Sequence, residues 1–231
     1  MSISTKYGRT YHYPFSPGTT SDDRFNHQYW QDLQKINSVV HTEKLDGENN
    51  CLSKYGVFAR SHVSPTTSAW TAQLRQQWAL LKNDLGDLEI FGENLYAIHS
   101  IEYQKLESYF YVFAVRLHGV WLSWEETKFY ANCFDFPTVP EIKMIKKPQD
   151  EEAYAQDIFQ IVEKPSIFES YDIHTQKPCS MEGIVTRNTG EYEATDFQHN
   201  VFKYVRKNHV KTDEHWTRNW KRAGLIWEKI N

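Results

Sequence analysis

Residues 39–60 read Val39-Val40-His41-Thr42-Glu43-Lys44-Leu45-Asp46-Gly47-Glu48-Asn49-Asn50-Cys51-Leu52-Ser53-Lys54-Tyr55-Gly56-Val57-Phe58-Ala59-Arg60. Val39 to Glu43 predicts a strand running into a turn at Asp46-Gly47. Asn50 to Ser53 and Val57 to Arg60 flank Tyr55-Gly56, the pattern of a hairpin. Strands that return through such short turns build antiparallel sheet.

The rest of the chain extends that pattern. Ser68 to about Leu85 reads as a helix, because Trp70, Leu74, Trp78, Leu81 and Leu85 recur at three- and four-residue steps. Leu88 to Phe91 reads as a strand. Tyr109 to Leu117 suits a buried strand, with His118-Gly119 turning into Val120-Trp121-Leu122. Asp150 followed by Glu151-Glu152-Ala153 starts a helix that runs to about Val162. Gly183 to Arg187 and Val201 to Val205 read as two more strands, the first turning at Thr189-Gly190. Thr212 or Asp213 is placed to cap a last helix ending before Gly224. Hairpins with helices inserted between them imply an α+β fold of largely antiparallel sheets with flanking helices, not a doubly wound parallel sheet. Residues 1–231 are expected to form a single domain, with residues 1–30 an irregular lead-in and 211–231 a short basic and aromatic tail.

Composition bounds the function classes. With 231 residues, 40% of them hydrophobic and 15% aromatic, the chain can bury a substantial core. A net charge of -4 argues against a generally basic nucleic-acid binder and leaves room for a local basic patch. Cys51, Cys133 and Cys179 are scattered and lack CxxC spacing, so neither a disulfide framework nor a zinc site is indicated. The N-terminal residues lack an apolar signal segment and no run is long enough for a bilayer. The expectation is a cytoplasmic protein of a reducing compartment with no membrane partner. The ten histidines show no metal-ligand spacing and are expected at the surface or against substrate.

Lys44 sits in an acidic run, and a lysine amine is a nucleophile once it loses its proton. Burial or nearby cationic charge, including a metal held by neighbours such as Asp46, lowers a lysine pKa. Gly47 permits a close backbone approach. Alone, Lys-x-Asp-Gly is a charged turn that a chain of this length shows by chance roughly one time in twenty.

Its downstream company is more specific. Phe91-Gly92-Glu93-Asn94 is followed by Tyr111-Val112-Phe113, then Met181-Glu182-Gly183-Ile184-Val185, then Phe202-Lys203-Tyr204-Val205-Arg206. In this order the motifs resemble those of the covalent nucleotidyltransferases, the superfamily of polynucleotide ligases and mRNA capping enzymes, across about Val39 to Val210. The segments Glu43 to Asn49, Phe91 to Asn94, Met181 to Val185 and Lys203 to Val210 look most like the nick-sealing, ATP-dependent RNA ligases of the phage type. The resemblance implies a nucleotidyltransferase (ATP-grasp-like) domain that uses ATP and Mg2+ or Mn2+. It implies a lysyl-AMP intermediate, transfer of AMP to a 5′-phosphate RNA end, and attack by a 3′-OH.

The resemblance also distributes roles. Lys44 is the implied nucleophile, with Asp46 orienting it or binding metal through water. Glu43 is matched to a backbone contact with the adenine amino group, against the alternative of an exposed strand glutamate. Asn49 would touch nucleotide or substrate phosphate, and Arg60 a phosphate of the nucleotide or of the RNA end. Glu93 matches the ribose-binding glutamate, Phe113 the aromatic that stacks on the purine, Glu182 the metal-binding glutamate, and Lys203 the lysine on the α-phosphate. Many ligases carry a second lysine two residues later, where this chain has Val205. Arg206 or Lys207 would have to compensate, although a strand points Arg206 the other way. Arg206, Lys207, Lys211 and Arg218, interleaved with tryptophans in the tail, are candidates for RNA phosphates. The short tail leaves no room for an OB domain, which disfavours capping enzymes and ordinary DNA ligases. It also raises the question of a repair partner protein. The alternatives are a minimal DNA ligase and a nucleotide- or RNA-binding module without catalysis; the oligomeric state is not legible.

Overall fold

The computed structural model describes residues 6–61, 64–207 and 219–229. The quoted stretch becomes β2 (Ser38–Lys44), β3 (Glu48–Ser53) and β4 (Gly56–Ala59), preceded by β1 (Tyr11–His12) and helix α1 (Tyr29–Lys35). Helix α2 (Ala72–Leu81), β5 (Leu88–Asn94), β6 (Ile101–Tyr103), β7 (Phe110–Leu117), β8 (Val120–Trp121) and helix α3 (Trp124–Cys133) follow. The chain continues with β9 (Glu141–Lys146), helix α4 (Glu151–Val162), β10 (Ser170–Asp172), β11 (Gly183–Asn188), β12 (Tyr192–Glu193) and β13 (Val201–Val205).

These strands form two main sheets. One has the order β1-β13-β11-β2-β9, the other β12-β8-β7-β5-β3-β4, and β6 pairs with β10 in a small third. Every named pairing is antiparallel except β1 with β13. The α+β expectation therefore holds. The Lys44–Gly47 turn does not close a hairpin, because β2 and β3 belong to different sheets. The turn is the crossing point between them.

Burial follows from which faces are apolar. Val40 and Val185 of the first sheet pack with Phe91, Phe113 and Trp121 of the second in one core. On the outer face of the first sheet, Tyr154, Ile158, Ile161 and Val162 of α4 bury against Val39, Ile184 and Phe202. Leu74 of α2 and Ala131 of α3 cover Leu52, Ile90, Phe110 and Val112 of the second sheet. Each fully buried aliphatic or aromatic side chain here contributes about 1.5–3 kcal/mol.

Several boundaries differ from expectation for local reasons. α2 stops at Leu81, not near Leu85, because Lys82-Asn83-Asp84 favours a turn; Leu85 is buried beyond the helix end. Helix α3 was not foreseen, yet Ser123 and Glu126 form a reciprocal capping box at its start. Asp150 caps α4 as expected, accepting from the Ala153 N–H at 2.9 Å. The lead-in is mostly irregular but not peripheral, since Tyr13 is fully buried and β1 joins a sheet. A helix capped by Thr212 or Asp213 would lie outside the described residues. Near Gly224 the chain instead bridges to the body at Ala97–Arg222 and Leu106–Leu225, then makes a short 3-10 helix at Ile226–Lys229. Among the described residues no helix is long and apolar enough to cross a membrane.

Candidate active site

Strand register gathers the site. β11 lies between β2 and β13, with Gly183 opposite both Lys44 and Val205, and Val185 opposite both Thr42 and Lys203. Residues directly opposite share a sheet face, so Lys44, Val185, Lys203 and Val205 face the same way. Glu182, one residue before Gly183, reaches Lys44: Nζ lies 2.7 Å from Oε1 and 2.6 Å from Oε2. Gly183 allows this close crossing, because a Cβ there would sit 1.9 Å from the Tyr204 carbonyl oxygen.

The second sheet supplies the opposite wall. Glu93 on β5 pairs with Asn49 on β3, and its Oε1 accepts from the Gly47 N–H at 3.0 Å. Gly47 is required by close approach, since a Cβ would stand 2.5 Å from the Asn94 carbonyl oxygen. Asp46 braces the other side of the turn. Its Oδ2 accepts from Ser100 N at 2.8 Å, Ser100 Oγ at 2.7 Å and Ile101 N at 2.9 Å. Its Oδ1 lies 4.0 Å from His99 Nδ1.

Phe113 reaches the site through a β-bulge. Val112 pairs with Gly92 and Ala114 with Phe91, leaving Phe113 as the extra residue on β7. Bulges re-aim side chains in this way. The Arg187 guanidinium lies over the Phe113 ring, 4.9 Å from its centroid, and Arg187 Nη1 donates to the Tyr7 hydroxyl at 2.6 Å.

Two cavities of about 380 Å3 each open around Lys44. The first is walled by Phe113, Val139, Val185, Glu93 and Asn49, and the second by Arg9, Thr20, Asp23, Arg24 and Glu182. Lys44, Arg60 and Lys203 line both.

The electrostatics are those of a lysine held protonated. Burial works to lower the Lys44 pKa, but the carboxylates of Glu182, Glu93 and Asp46 outweigh it and the net direction is upward. The surroundings thus differ from the expected cationic neighbourhood. Burial, opposed by the Lys44 charge, pushes Glu93 up to about 8. Burial likewise raises Glu43 to about 7. Burial lowers Lys203, although Asp23 at 3.3 Å opposes that shift.

Most of the expected residues converge here: Glu43, Lys44, Asn49, Arg60, Glu93, Phe113 and Lys203 line the first cavity, and Glu182 the second. Glu43 is not an exposed strand residue; it is buried, and its backbone N–H donates to the Pro140 carbonyl. Arg206 does not line either cavity; its Nε donates to the Met181 carbonyl at 3.1 Å. Lys207 is at the end of a described segment, and Lys211 and Arg218 lie outside the described residues. Two histidines are interior and not superficial. His12 lies 3.2 Å from Asp23 Oδ1, and His41 Nδ1 is 2.9 Å from Thr186 Oγ1.

Sequence reading missed Tyr7, Arg9, Arg24 and Arg187. The lead-in carries no periodicity that would flag its residues. Arg187 was accessible in principle, because it follows Val185 by two residues on one strand and so shares its face.

The two-sheet cleft has the fold of the RNA ligase nucleotidyltransferases. The chain belongs to the RNA ligase family, whose sequence model matches residues 37–205. Solved structures agree on the fold. An apo mutant of the Naegleria gruberi RNA ligase superposes with a TM-score of 0.55 at 18% identity, covering 84% of this chain and 57% of that one. The Naegleria enzyme with PPi gives 0.54 at 17% identity, covering 92% and 63%. An archaeal ATP-dependent RNA ligase gives 0.50 at 15% identity, covering 84% and 48%. The chain thus spans about three fifths of the length of the Naegleria structures. No curated protein matches it.

Proposed function

We propose that this chain is the nucleotidyl-transfer domain of an ATP-dependent RNA ligase. It would take AMP onto Lys44, pass it to an RNA 5′-phosphate, and let a 3′-hydroxyl close the phosphodiester. The observation that carries this reading is the Lys44–Glu182 contact at the border of two cavities that share Lys44, Arg60 and Lys203. One cavity has apolar and aromatic walls suited to a nucleoside, and the shared border offers cations for phosphate. Naegleria RNA ligase structures with ATP and Mn support the choice of nucleotide and metal.

Among the described residues no three His, Cys, Asp or Glu side chains are grouped to hold a metal by themselves. The Glu182 carboxylate in the second cavity is a hard oxygen donor, and it fits magnesium, which keeps several waters and takes one or two carboxylates plus substrate phosphates. Glu182 would hold such an ion. Asp46, with three donors on one oxygen, is better suited to bracing the turn. When bound, a divalent cation neutralises phosphate charge and favours pyrophosphate as a leaving group.

The chain's own groups then divide the work. Glu182, drawn away from Lys44, no longer holds the ammonium, and Lys44 can lose its proton. Lys203 and Arg60 neutralise the α-phosphate as charge builds on its oxygens. Glu93 accepts from a ribose hydroxyl while keeping the turn through Gly47. Phe113 stacks on the purine with the ring face that Arg187 does not cover. The Nζ–Pα bond forms as the bond from Pα to the bridging oxygen breaks, the electron pair leaves on pyrophosphate, and Nζ releases two protons to solvent overall.

Family membership favours RNA over DNA as the sealed strand. Sealing assays on nicked all-RNA, RNA–DNA and all-DNA duplexes test this. Fastest sealing where RNA supplies the ends is expected; faster sealing of the all-DNA nick would support a minimal DNA ligase instead. Failure to seal any of them, with Lys44 nevertheless taking AMP, would point to a required repair partner.

A further inference from the structure

The lead-in forms a closed loop against β13. The His12 N–H donates to the Arg24 carbonyl at 2.7 Å and the Asn26 N–H to the His12 carbonyl at 2.9 Å, tying the loop's two ends together. The Tyr13 N–H donates to the Lys203 carbonyl and the Gly18 N–H to the Val205 carbonyl, each at 2.9 Å, which fixes the loop beside Lys203. Gly18 is packed so closely that a Cβ would meet the Arg206 carbonyl oxygen at 2.3 Å. Inside the loop, Asp23 bridges Lys203 and His12: its Oδ1 lies 3.3 Å from Lys203 Nζ and 3.2 Å from His12 Nε2. Burial works to raise the Asp23 pKa, but the Thr20 N–H and the Lys203 ammonium pull it below its ordinary value, so it is a carboxylate.

This loop makes the second cavity. Arg9 and Arg24 join Lys44, Arg60 and Lys203 there, facing the carboxylates of Asp22, Asp23 and Glu182. Five cations against three anions leave a surplus of positive charge, and little of the lining is apolar. A nucleoside has no use for such walls; a polyphosphate does. The cavity adjoins the first through the same three cations, where the α-phosphate would sit. A nucleotide with its base between Phe113 and Val185 must direct its remaining phosphates past that border.

We propose that the second cavity receives the β- and γ-phosphates of the nucleotide and then the pyrophosphate leaving group, with Arg9 and Arg24 as its binding residues. This rests on the proposed function. Arg9 and Arg24 would hold the phosphates that depart, while Asp23 keeps Lys203 directed at the one that stays. Both arginines are exposed, so their replacement is expected to leave the fold intact.

The test uses Arg9→Ala, Arg24→Ala and the double variant in the full chain. Wild-type protein is first loaded with AMP and titrated with inorganic pyrophosphate, which reverses the first step and releases ATP. The double variant should need at least tenfold more pyrophosphate for half-release and show a similarly raised ATP requirement for loading. An unaltered pyrophosphate response would overturn the proposal. So would a loss confined to AMP transfer onto 5′-phosphate RNA, which would make this the RNA-end site. If wild-type protein takes up no AMP, the proposed function itself fails; that outcome is distinct from variants matching an active wild type.

Discussion

Lys44 Nζ lies between the two carboxylate oxygens of Glu182, 2.7 Å from one and 2.6 Å from the other. The contact spans 138 residues of sequence and exists because Gly183 pairs with Lys44 across two antiparallel strands. With Glu93 and Asp46 nearby, it keeps the resting lysine an ammonium.

Removing the Glu182 carboxylate separates its hold on Lys44 from its proposed hold on metal. In Glu182→Gln, Lys44 loses its strongest anionic neighbour and its pKa falls. Its reactivity toward an amine-modifying reagent at pH 8 should rise severalfold, while AMP loading should fall by on the order of 100-fold as metal and phosphate positioning are lost. Peptide mapping after reagent labelling and a parallel loading assay read the two effects. A fall in both would indicate damaged geometry instead.

Buried carboxylates set the alkaline side of stability. The folded Glu93 pKa of about 8 exceeds its ordinary 4.5. Between those values the fold keeps a proton that the unfolded chain has released, so stability declines as pH rises through that window. Glu93→Gln retains an acceptor for the Gly47 N–H and removes the titration. The ligand-free variant should gain about 2–4 kcal/mol on wild type between pH 5 and pH 9, in urea unfolding. Its ATP requirement for loading should rise about tenfold, because an amide replaces the carboxyl group proposed to meet the ribose.

Buried histidines set the acid side. His41 is lowered to about 4 by burial, from an ordinary 6.5. Below 6.5 the unfolded chain binds a proton that the fold refuses, so stability is lost as pH falls from 6.5 toward 4. His12 shifts in the same direction, to about 4, through burial and the Lys203 charge. Replacing His41 by Gln should flatten the acid limb by about 1–3 kcal/mol between pH 7 and pH 4, measured by urea midpoints at each pH.

Gly183 is demanded by close approach and Gly190 is not. Gly183→Ala would drive a Cβ to 1.9 Å from backbone at Tyr204, which cannot yield as a side chain would. A loss of about 2–3 kcal/mol is expected, together with loss of AMP loading as Glu182 shifts. At Gly190 the nearest contact would be an ordinary 3.5 Å, so Gly190→Ala should stay within about 0.5 kcal/mol of wild type. Thermal melts of both variants check the contrast.

What could be read in advance was local chemistry plus order along the chain. Lys44, Glu93, Glu182 and Lys203 stand in ordered motifs, and alternation put Val205 on the Lys203 face and Arg206 on the other. Long-range pairing was not legible. Nothing in Phe91-Gly92 or Val112-Phe113 signals the bulge that turns Phe113 toward the cavity. That the chain crosses between sheets at the Lys44–Gly47 turn was not legible either, because a tight turn has the same composition whether or not its flanking strands pair. Arg9 and Arg24 could not be placed, since the lead-in owes its shape to hydrogen bonds with β13, far away in sequence.

The most direct measurement is covalent labelling at Lys44. Protein first stripped of bound AMP with pyrophosphate is incubated with labelled ATP and Mg2+ or Mn2+, denatured, and mapped by peptide mass spectrometry. A phosphoramidate-linked AMP on Lys44, absent in Lys44→Ala, is the predicted result. No covalent label, or label retained in Lys44→Ala, would contradict the account.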